Sequence, residues 1–266
     1  MSDGGRLAGK IALIMGGGSS HPDGGPGNGQ ACALTFAREG AKVAVADVNL
    51  AAAEQTVAEI QRSGGTAVAI AADVRRDADI VRAVSSSLDR FGRIDVLHNN
   101  VGIEHLGNVV ETPEEAWDNV HAVNLKSVFL TCKHVIPVMV RQGGGSIINV
   151  SSTASLRWGG VAYIAYNSSK AALNHVSRIM AREHAPQHVR VNVVIPGMID
   201  TPHIRTLYRD LSQDDLAKKL TERDAKCPMG RQGTCWDVAN AALYFASDEA
   251  AYVTGAQIVV DGGLSI

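Results

Sequence analysis

The chain has 266 residues, 45% of them hydrophobic, and its formal net charge at pH 7 is −2. This charge provides no general attraction to nucleic acid or to an acidic membrane surface. No apolar run approaches the roughly 18 residues of a membrane span, and residues 1–10 lack the pattern of a signal peptide. We therefore expect a cytoplasmic protein that acts on small molecules and binds neither nucleic acid nor membranes.

The four cysteines and nine histidines are scattered along the chain. No two cysteines form a C-x-x-C pair, no cysteine lies at zinc-ligand spacing from a histidine, and no H-E-x-x-H pattern occurs. We expect reduced, structural thiols and no metal ion in the mechanism.

The beginning of the chain has the order strand, glycine-rich turn, helix, strand and acid. An apolar strand over 11–15 ends in the glycines 16–18, and Gly-Asn-Gly at 27–29 precedes a helix over 30–39. A second strand over 42–47 ends in an aspartate. This order is typical of dinucleotide-binding units, in which glycines admit the pyrophosphate and the helix N-terminus supplies oriented N–H groups.

The same alternation continues to the end of the chain. It predicts a single-domain α/β protein over 1–266, a Rossmann-like doubly wound parallel sheet of about seven strands with helices on both faces. Residues 203–226 are charged and helical, and we expect them to form a substrate lid. The remaining strands are predicted at 66–71, 94–98, 146–150, 189–195 and 257–260, and the remaining helices at 50–62, 77–91, 113–141 and 163–184.

Polar and glycine residues follow nearly every predicted strand. Because ligands bind beyond the carboxyl ends of the strands in such sheets, these residues are expected to form one site. They are the glycine turn, Asp47, Asp73, residues 99–102, Ser152, Pro196 and Gly197.

The predicted helix around Tyr166 and Lys170 brings a phenol and an ammonium group together, because residues four apart share a helix face. A free phenol has a pKa of about 10, and a nearby cation lowers it. Tyr166 could then act as a general base for an alcohol proton. The Tyr-x-x-x-Lys pattern alone is common and also fits a solvated pair on an exposed helix.

Taken together, the motifs resemble those of the short-chain dehydrogenase/reductase family over nearly the whole chain. The matching stretches are Gly16 with Gly27-Asn28-Gly29, Asp73-Val74, Asn99-Asn100-Val101-Gly102, Val123-Asn124-Leu125, Ser151-Ser152, Tyr166 with Lys170, Pro196-Gly197 with Thr201, and Val253-Thr254-Gly255 with Val260-Asp261-Gly262-Gly263.

The resemblance implies a catalytic role for four residues. Tyr166 would be the general acid/base, and Lys170, aided by the positive nicotinamide, would lower its pKa and also hold the ribose hydroxyls. Ser152 would bind the substrate oxygen, and Asn124 would anchor a water chain from Lys170 to solvent. The implied cofactor contacts are Gly16, Gly27, Asn28, Gly29, Asp47, Val48, Asp73, Val74, Asn100, Gly102, Tyr166, Lys170, Pro196, Gly197, Ile199 and Thr201.

Two features depart from the family pattern. Ten residues rather than three separate Gly16 from Gly27, so the glycine of 16–18 that makes the tight turn stays open. The inserted loop 19–25, with His21 and Asp23, could cover the adenine ribose or pyrophosphate or could be a plain solvent loop.

Ser152 lies fourteen residues before Tyr166, one more than is usual in the family. A one-residue extension of the loop 153–160 would absorb this difference. Ser151 and Ser155 are weaker candidates for the same role, and Tyr163 is no rival base because its i+4 neighbour is an asparagine.

The end of the second strand favours NAD over NADP as the cofactor. The Asp47 carboxylate could accept hydrogen bonds from the adenosine ribose and would repel a 2′-phosphate. Val48, Asn49 and Pro26 provide no basic side chain to neutralise that phosphate. An NAD preference also favours alcohol oxidation as the physiological direction.

The expected substrate is a medium-sized, partly polar secondary alcohol or ketone, cyclic and aromatic ones included. The residues expected to face it are His105, 156–161 with Trp158 and Val161, Tyr163, Met198 and the lid from His203. Arg157, His203, Arg205 and Arg209 could contact an anionic group, although a solvated charged face is the more common role.

These observations predict an NAD-dependent oxidoreductase that interconverts a secondary alcohol and a ketone. The alternatives are a 3-oxoacyl-thioester ketoreductase of the same fold and a catalytically silent NAD-binding protein. An enoyl reductase is disfavoured because those relatives space the tyrosine and lysine further apart. By analogy with the family we expect a homotetramer built through the helices 113–141 and 163–184.

Overall fold

Seven parallel strands form the central sheet of the protein, which we describe from a computed structural model over residues 5–19, 25–208 and 211–266, without the side chains of Arg205 and Leu207. The strands are β1 Ile11–Met15, β2 Lys42–Asp47, β3 Ala67–Ala71, β4 Val96–Asn99, β5 Gly145–Val150, β6 Val189–Pro196, β7 Ile199–Asp200, β8 Gly233–Thr234 and β9 Gln257–Val260. The sheet order is β3-β2-β1-β4-β5-β6-β9, with all neighbours parallel, while β7 and β8 pair with each other. This architecture confirms the predicted fold class.

The helices pack on both faces of this sheet. They are α1 Asn28–Arg38, α2 Leu50–Arg62, α3 Asp77–Phe91, α4 Glu114–His121, α5 Ser127–Arg141, α6 Ile164–His184, α7 Pro202–Leu207, α8 Gln213–Lys226 and α9 Cys235–Ala246. A π-helical turn, Ala122–Lys126, joins α4 to α5.

The alternation of side chains along β1 shows why the sheet needs cover on both sides. Leu13 and Met15 pack in the core with α3, α5 and α6, whereas Ala12 and Ile14 pack in the core with α1, α2 and α9. All five residues of β1 are buried, which is the pattern of a central strand in a parallel sheet. The two cores therefore lie on opposite faces of one sheet.

Two elements were not predicted from the sequence: α9 and the short pair β7–β8. Helix α9 begins with a capping box between Thr234 and Asp237. Its sequence is apolar nearly all round, and most of it is buried, so that no polar face reveals its period. The pair β7–β8 has only two residues per strand, too few for a recognisable alternation.

The helix predicted over 113–141 runs from Glu114 to Arg141 through the π-helical turn. By length and composition it could cross a membrane, the only such helix in the described part of the chain. Of its most apolar window, 61% is buried inside the fold, as in a core helix. Its apolar side chains are therefore accounted for by packing against the sheet.

A buried polar network fastens α6 to the sheet below the carboxyl edge. The Asn99 side chain donates to Asn149 Oδ1 at 2.9 Å, and the Asn149 side chain donates to Ser177 Oγ at 2.8 Å. Thr131 on α5 donates to Asn99 Oδ1 at 2.9 Å. Because buried polar groups are costly when unpaired, this network fixes the position of α6 relative to β4 and β5.

The predicted lid region contains α7 and α8. Helix α8 has no fully buried residue, and both its ends carry charged side chains. Its role as a lid, like the assignment of 1–266 to one domain, stays a prediction. The inserted loop predicted over 19–25 lies outside the described residues from 20 to 24, as does Arg209.

Gly16 makes the tight turn after β1. Its φ is +80°, which disfavours side chains, and neither Gly17 nor Gly18 has a positive φ. Gly29, in the first turn of α1, packs so closely that a Cβ there would lie 1.9 Å from the Gly16 carbonyl oxygen. The backbone of the turn and the start of α1 are therefore in direct contact, which only glycine at position 29 allows.

We predict that Gly29→Ala destabilises the protein, because the added methyl group must push α1 away from the turn. Overpacking of this kind costs about 1–3 kcal/mol, or roughly 2–12 °C in melting temperature for a chain of this size. The matched control is Gly27→Ala, since a Cβ at 27 would meet nothing within 4 Å. A Gly29→Ala protein that melts with the wild type would contradict the close packing.

Candidate active site

A cavity of about 620 Å³ opens at the carboxyl edge of the sheet. Every residue in the predicted cofactor set lines it, and so does Ser152. Of the predicted catalytic residues, Asn124 does not line the cavity, because its side chain is fully buried behind the wall. Strands β1 and β4 are neighbours, and their following helices pack on opposite faces, so the crevice lies where the strand order reverses.

One end of the cavity is formed by the N-terminus of α1. Gly27 is the N-cap, and it has no side chain to bond the free N–H groups of the first turn. The side-chain oxygen of Asn28 is buried without a partner in the described residues. Unsatisfied N–H groups and the positive end of the helix dipole suit a phosphate, so these residues fit a dinucleotide.

Asp47 is held at the end of β2 by two backbone N–H groups. Gly18 N donates to Oδ2 and Asn49 N donates to Oδ1, each at 3.0 Å. The next residue, Val48, is 71% exposed at the rim of the cavity. The carboxylate is thus fixed in place before any ligand arrives.

Asp73 is already paired with a residue that the sequence did not single out. Arg75 binds both of its carboxylate oxygens and holds the pKa of Asp73 below its usual value, mainly through this hydrogen bonding. Arg75 also donates to Asn119 at 3.3 Å and lines the cavity. The Asp73 carboxylate is therefore neutralised within the chain.

Lys170 points its ammonium group into the buried end of the cavity. Its Nζ donates to the Val150 carbonyl oxygen at 2.8 Å, and only 2% of the residue is exposed. Burial lowers the pKa of Lys170 to about 8, while the negative charge of Glu104 acts in the opposite direction. A Cβ at Gly102 would lie 3.1 Å from Nζ, so a glycine there leaves room for the ammonium group.

Tyr166 lies one helical turn before Lys170, with its ring centroid 5.8 Å from Nζ. Desolvation raises the pKa of Tyr166 to about 12, and the neighbouring Ser152 hydroxyl only partly opposes this. The direction is opposite to the one expected from the sequence. The reason is that burial disfavours the charged phenolate. The Lys170 ammonium group donates to the Val150 carbonyl oxygen, and no hydrogen bond joins it to the phenol in the described residues.

Asn124 lies in the π-helical turn and clamps the backbone of Ile103. Its Oδ1 accepts from Ile103 N and its Nδ2 donates to Ile103 O, both at 2.9 Å. Nδ2 also donates to Ser169 Oγ on α6 at 3.0 Å. A π-helical turn often marks a functional site, and here it aims an asparagine at the chain segment that follows β4.

Ser152 lines the cavity, and its hydroxyl accepts from Ala154 N at 3.2 Å and hydrogen-bonds the side chain of Tyr166. Ser151 is also at the wall, but its hydroxyl donates to Lys170 O and Ser155 Oγ. The Ser155 hydroxyl donates to Ser152 O at 2.6 Å. The two weaker candidates thus use their hydroxyls in the structure itself.

The sequence analysis missed Glu104, which lines the cavity together with His203 from α7. His203 Nε2 and Glu104 Oε1 are 2.6 Å apart, and this contact raises the pKa of His203. Arg223 from α8 also lines the cavity and donates to Gln232. The sequence did contain a signal for Glu104. It follows Gly102 by two residues, in the segment after β4 that was already expected to lie at the carboxyl edge of the sheet.

Of the residues expected to face the substrate, His203 lines the cavity, whereas His105, 156–161, Tyr163 and Met198 are absent from its wall. Trp158 is 74% exposed. Arg157 donates to Leu264 O at 2.6 Å, away from the cavity. Within the described segments, no three His, Cys, Asp or Glu side chains are grouped as a metal site requires.

Known proteins similar to this chain share nearly its whole length. A family model described as enoyl-(acyl carrier protein) reductase matches residues 26–265. The chain is 40% identical over 261 residues to the 2,5-dichloro-2,5-cyclohexadiene-1,4-diol dehydrogenase LinX of Sphingobium indicum, covering 98% of both chains. It is 38% identical to the 3-oxoacyl-[acyl-carrier-protein] reductase FabG of Thermotoga maritima, over 98% of this chain and 100% of that one.

Among solved structures, a Burkholderia xenovorans protein described as a short-chain dehydrogenase/reductase superposes with a TM-score of 0.91. It is 44% identical and covers 98% of each chain. Both the matched lengths and the fold agree with the motifs at the carboxyl edge. This chain belongs to the short-chain dehydrogenase/reductase family, whose members are oxidoreductases that act on CH–OH groups and typically use a nicotinamide cofactor.

Proposed function

We propose that the protein is an NAD-dependent dehydrogenase of secondary alcohols in which Tyr166 is the general acid/base. The observation that carries the proposal is the shared cavity. The Tyr166, Ser152 and Lys170 side chains line one end, and the open N-terminus of α1 and Asp47 line the other. A cavity with a phosphate-binding helix end and an acid on one side and the phenol on the other suits a dinucleotide whose nicotinamide ring reaches Tyr166.

A nicotinamide cofactor, which the N-terminus of α1 and Asp47 would hold, would supply the acceptor for the hydride of the carbinol carbon. Tyr166 takes the hydroxyl proton as the carbon–oxygen single bond becomes a carbonyl, and the Ser152 hydroxyl holds the same oxygen. Lys170, with a pKa of about 8, is mostly protonated at neutral pH and supplies positive charge behind the phenol. Because burial, together with the charges of Glu104 and Tyr163, raises the pKa of Tyr166 to about 12, the phenolate needs positive charge beyond that of the chain.

Asn124 would act from behind the wall. Its amide fixes Ile103 and Ser169, and so sets the distance between the segment after β4 and α6. We propose that it positions these elements; the anchoring of a water chain stays a prediction.

The choice of NAD rests on Asp47. Its carboxylate is preset at the end of β2 by Gly18 and Asn49, next to the exposed Val48. Arg75, a cation of the cavity wall after β3, the strand beside β2, is bound to Asp73 and so is not free for a 2′-phosphate. This supports NAD, and alcohol oxidation as the physiological direction.

The name of LinX supports a cyclic secondary alcohol as the substrate class, because that relative is a cyclohexadiene-diol dehydrogenase. The likeness to FabG supports the second candidate, a 3-oxoacyl-thioester ketoreductase. The preset acid at the ribose end favours the dehydrogenase. A silent NAD-binding protein would not need the four catalytic side chains that the chain retains.

We extend the proposal to a cytoplasmic homotetramer. Phe129 on α5 is 56% exposed, and Trp117 on α4 and Ile179 on α6 are also exposed. Apolar side chains on the outer faces of these helices support their pairing between copies.

We predict that Tyr166→Phe lowers kcat by roughly 10²–10⁴-fold while the affinity for NAD changes little, because only the proton acceptor is lost. Steady-state rates on a panel of secondary alcohols and calorimetric NAD titrations measure the two effects. The matched control is Tyr163→Phe, whose ring centroid lies 6.2 Å from that of Tyr166. Equal rates in wild type and Tyr166→Phe would rule out the role of Tyr166.

We predict a higher kcat/KM with NAD than with NADP. In Asp47→Asn the preference, kcat/KM with NAD divided by kcat/KM with NADP, should fall by about 10-fold or more, since a charged hydrogen bond contributes about 1.5–3 kcal/mol. Asp73→Asn is the control, because Arg75 already neutralises that carboxylate. A wild-type preference for NADP would contradict the role of Asp47.

A further inference from the structure

The Glu104 carboxylate occupies a fixed position at the reacting end of the cavity. Asn124 bonds both backbone groups of Ile103, so the backbone entering Glu104 is held from inside the protein. The Glu104 side chain lines the cavity wall and is 19% exposed. The carboxylate is therefore mostly shielded from water, and it faces the same space as Tyr166 and Ser152.

Charge effects agree with this position. The negative charge of Glu104 raises the pKa values of Tyr166, Tyr163 and Lys170. The other two acids of the cavity, Asp47 and Asp73, follow β2 and β3 at the far end, where the adenosine is expected. Asn124 joins Ile103, the neighbour of Glu104, to Ser169 on α6, so among the acids of the described wall Glu104 is the one held near the turn of Tyr166 and Lys170.

One side of the carboxylate is occupied and the other is free. His203 on α7 contacts Oε1 at 2.6 Å, whereas no described residue donates to Oε2. A carboxylate accepts hydrogen bonds on both oxygens, and one that is shielded from water needs such partners. The arrangement leaves one acceptor oxygen without a partner from the described residues, on a side chain that lines the cavity.

We propose that Glu104 is a specificity-determining residue that accepts a hydrogen bond from a second hydroxyl of the substrate, so that the enzyme prefers diols to simple alcohols. The proposal rests on the alcohol dehydrogenase function above. His203 holds the carboxylate in place from the lid side. The class of substrate is a neutral diol or polyol with one secondary hydroxyl at Tyr166 and another at Glu104.

Two physical effects produce this selectivity. A hydrogen bond to a charged acceptor in a shielded site is stronger than one in water, and a simple alcohol leaves the acceptor unpaired. A substrate with a carboxylate near the reacting carbon meets the like charge of Glu104. Arg223, which also lines the cavity, donates to Gln232 and so is engaged elsewhere.

The test compares kcat/KM with NAD for cyclohexanol, the three positional isomers of cyclohexanediol, and a hydroxycyclohexanecarboxylate. In the wild type we expect the best diol to exceed cyclohexanol by about 10-fold or more and the carboxylate to be the poorest substrate. In Glu104→Gln the ratio of diol to cyclohexanol should fall by about fivefold or more, and the carboxylate should gain relative to both.

Two further variants distinguish substrate selection by the Glu104 carboxylate from a purely structural role of the Glu104–His203 pair. Glu111→Gln changes an exposed acid on the same connection after β4 and should keep the wild-type ratio. His203→Gln removes the partner but keeps the carboxylate, so the diol preference should remain. If the Glu104–His203 pair only held α7 against the segment after β4, Glu104→Gln and His203→Gln would lose the diol preference equally. That result would overturn the proposal. Should Glu104→Gln fail to fold, Glu104→Ala takes its place in the same comparison with His203→Gln.

Binding without turnover keeps this inference separate from the proposed function. Titration calorimetry of the diols into Tyr166→Phe saturated with NAD should give a Kd about 10-fold weaker when Glu104→Gln is added. If no alcohol is oxidised but this difference appears, the dehydrogenase function fails and Glu104 still selects diols. Oxidation of cyclohexanol as fast as any diol would overturn the role of Glu104 and leave the dehydrogenase intact.

Discussion

The buried ammonium group of Lys170, bonded to the carbonyl of Val150, is the contact around which the active site is arranged. A charge shielded from water is costly unless its donors are satisfied, so the end of β5 and the second turn of α6 must stay in register. Tyr166 then lies one turn away, and Ser152 follows Val150 by two residues. Gly102 is needed to give the ammonium group its space.

The supporting network explains how this contact is held. Asn99 and Asn149 tie β4 to β5 and to α6, and Asn124 ties α6 to the segment after β4. Each of these asparagines bonds two elements at once, so that removal of one would leave buried groups unpaired in both. Tyr166 and Lys170 on α6 and Asn124 in the π-helical turn consequently lie on rigid elements, as precise chemistry requires, and Ser152 follows the end of β5 by two residues.

Much of this could be predicted because strand ends in a parallel sheet meet at one edge. The strand bounds, the glycine turn, Asp47, and the pair Tyr166 and Lys170 follow from local pattern and spacing. What could not be predicted depends on contacts that are distant in sequence or that belong to no periodic pattern. His203 meets Glu104 across 99 residues. Arg75 and Asp73 are only two residues apart, but their pairing belongs to no periodic pattern either.

The sequence did not reveal the π-helical turn or the direction of the Tyr166 pKa shift, and the reasons are related. One inserted residue in a helix leaves no mark in composition, although it turns Asn124 toward Ile103. Helical spacing showed that a cation lies near the phenol, but not that burial would exceed its effect. Proximity fixes which groups interact, whereas desolvation decides the sign of the shift.

The central claim is that the phenol of Tyr166 becomes acidic only in the complete site. It is tested most directly by spectrophotometric titration of the phenolate, taken as the difference between wild type and Tyr166→Phe, with and without saturating NAD. The account predicts a pKa near 12 in the protein alone and a clearly lower pKa with NAD bound, because the phenolate then gains positive charge. A Tyr166 pKa that remains near its ligand-free value when NAD is bound would contradict it.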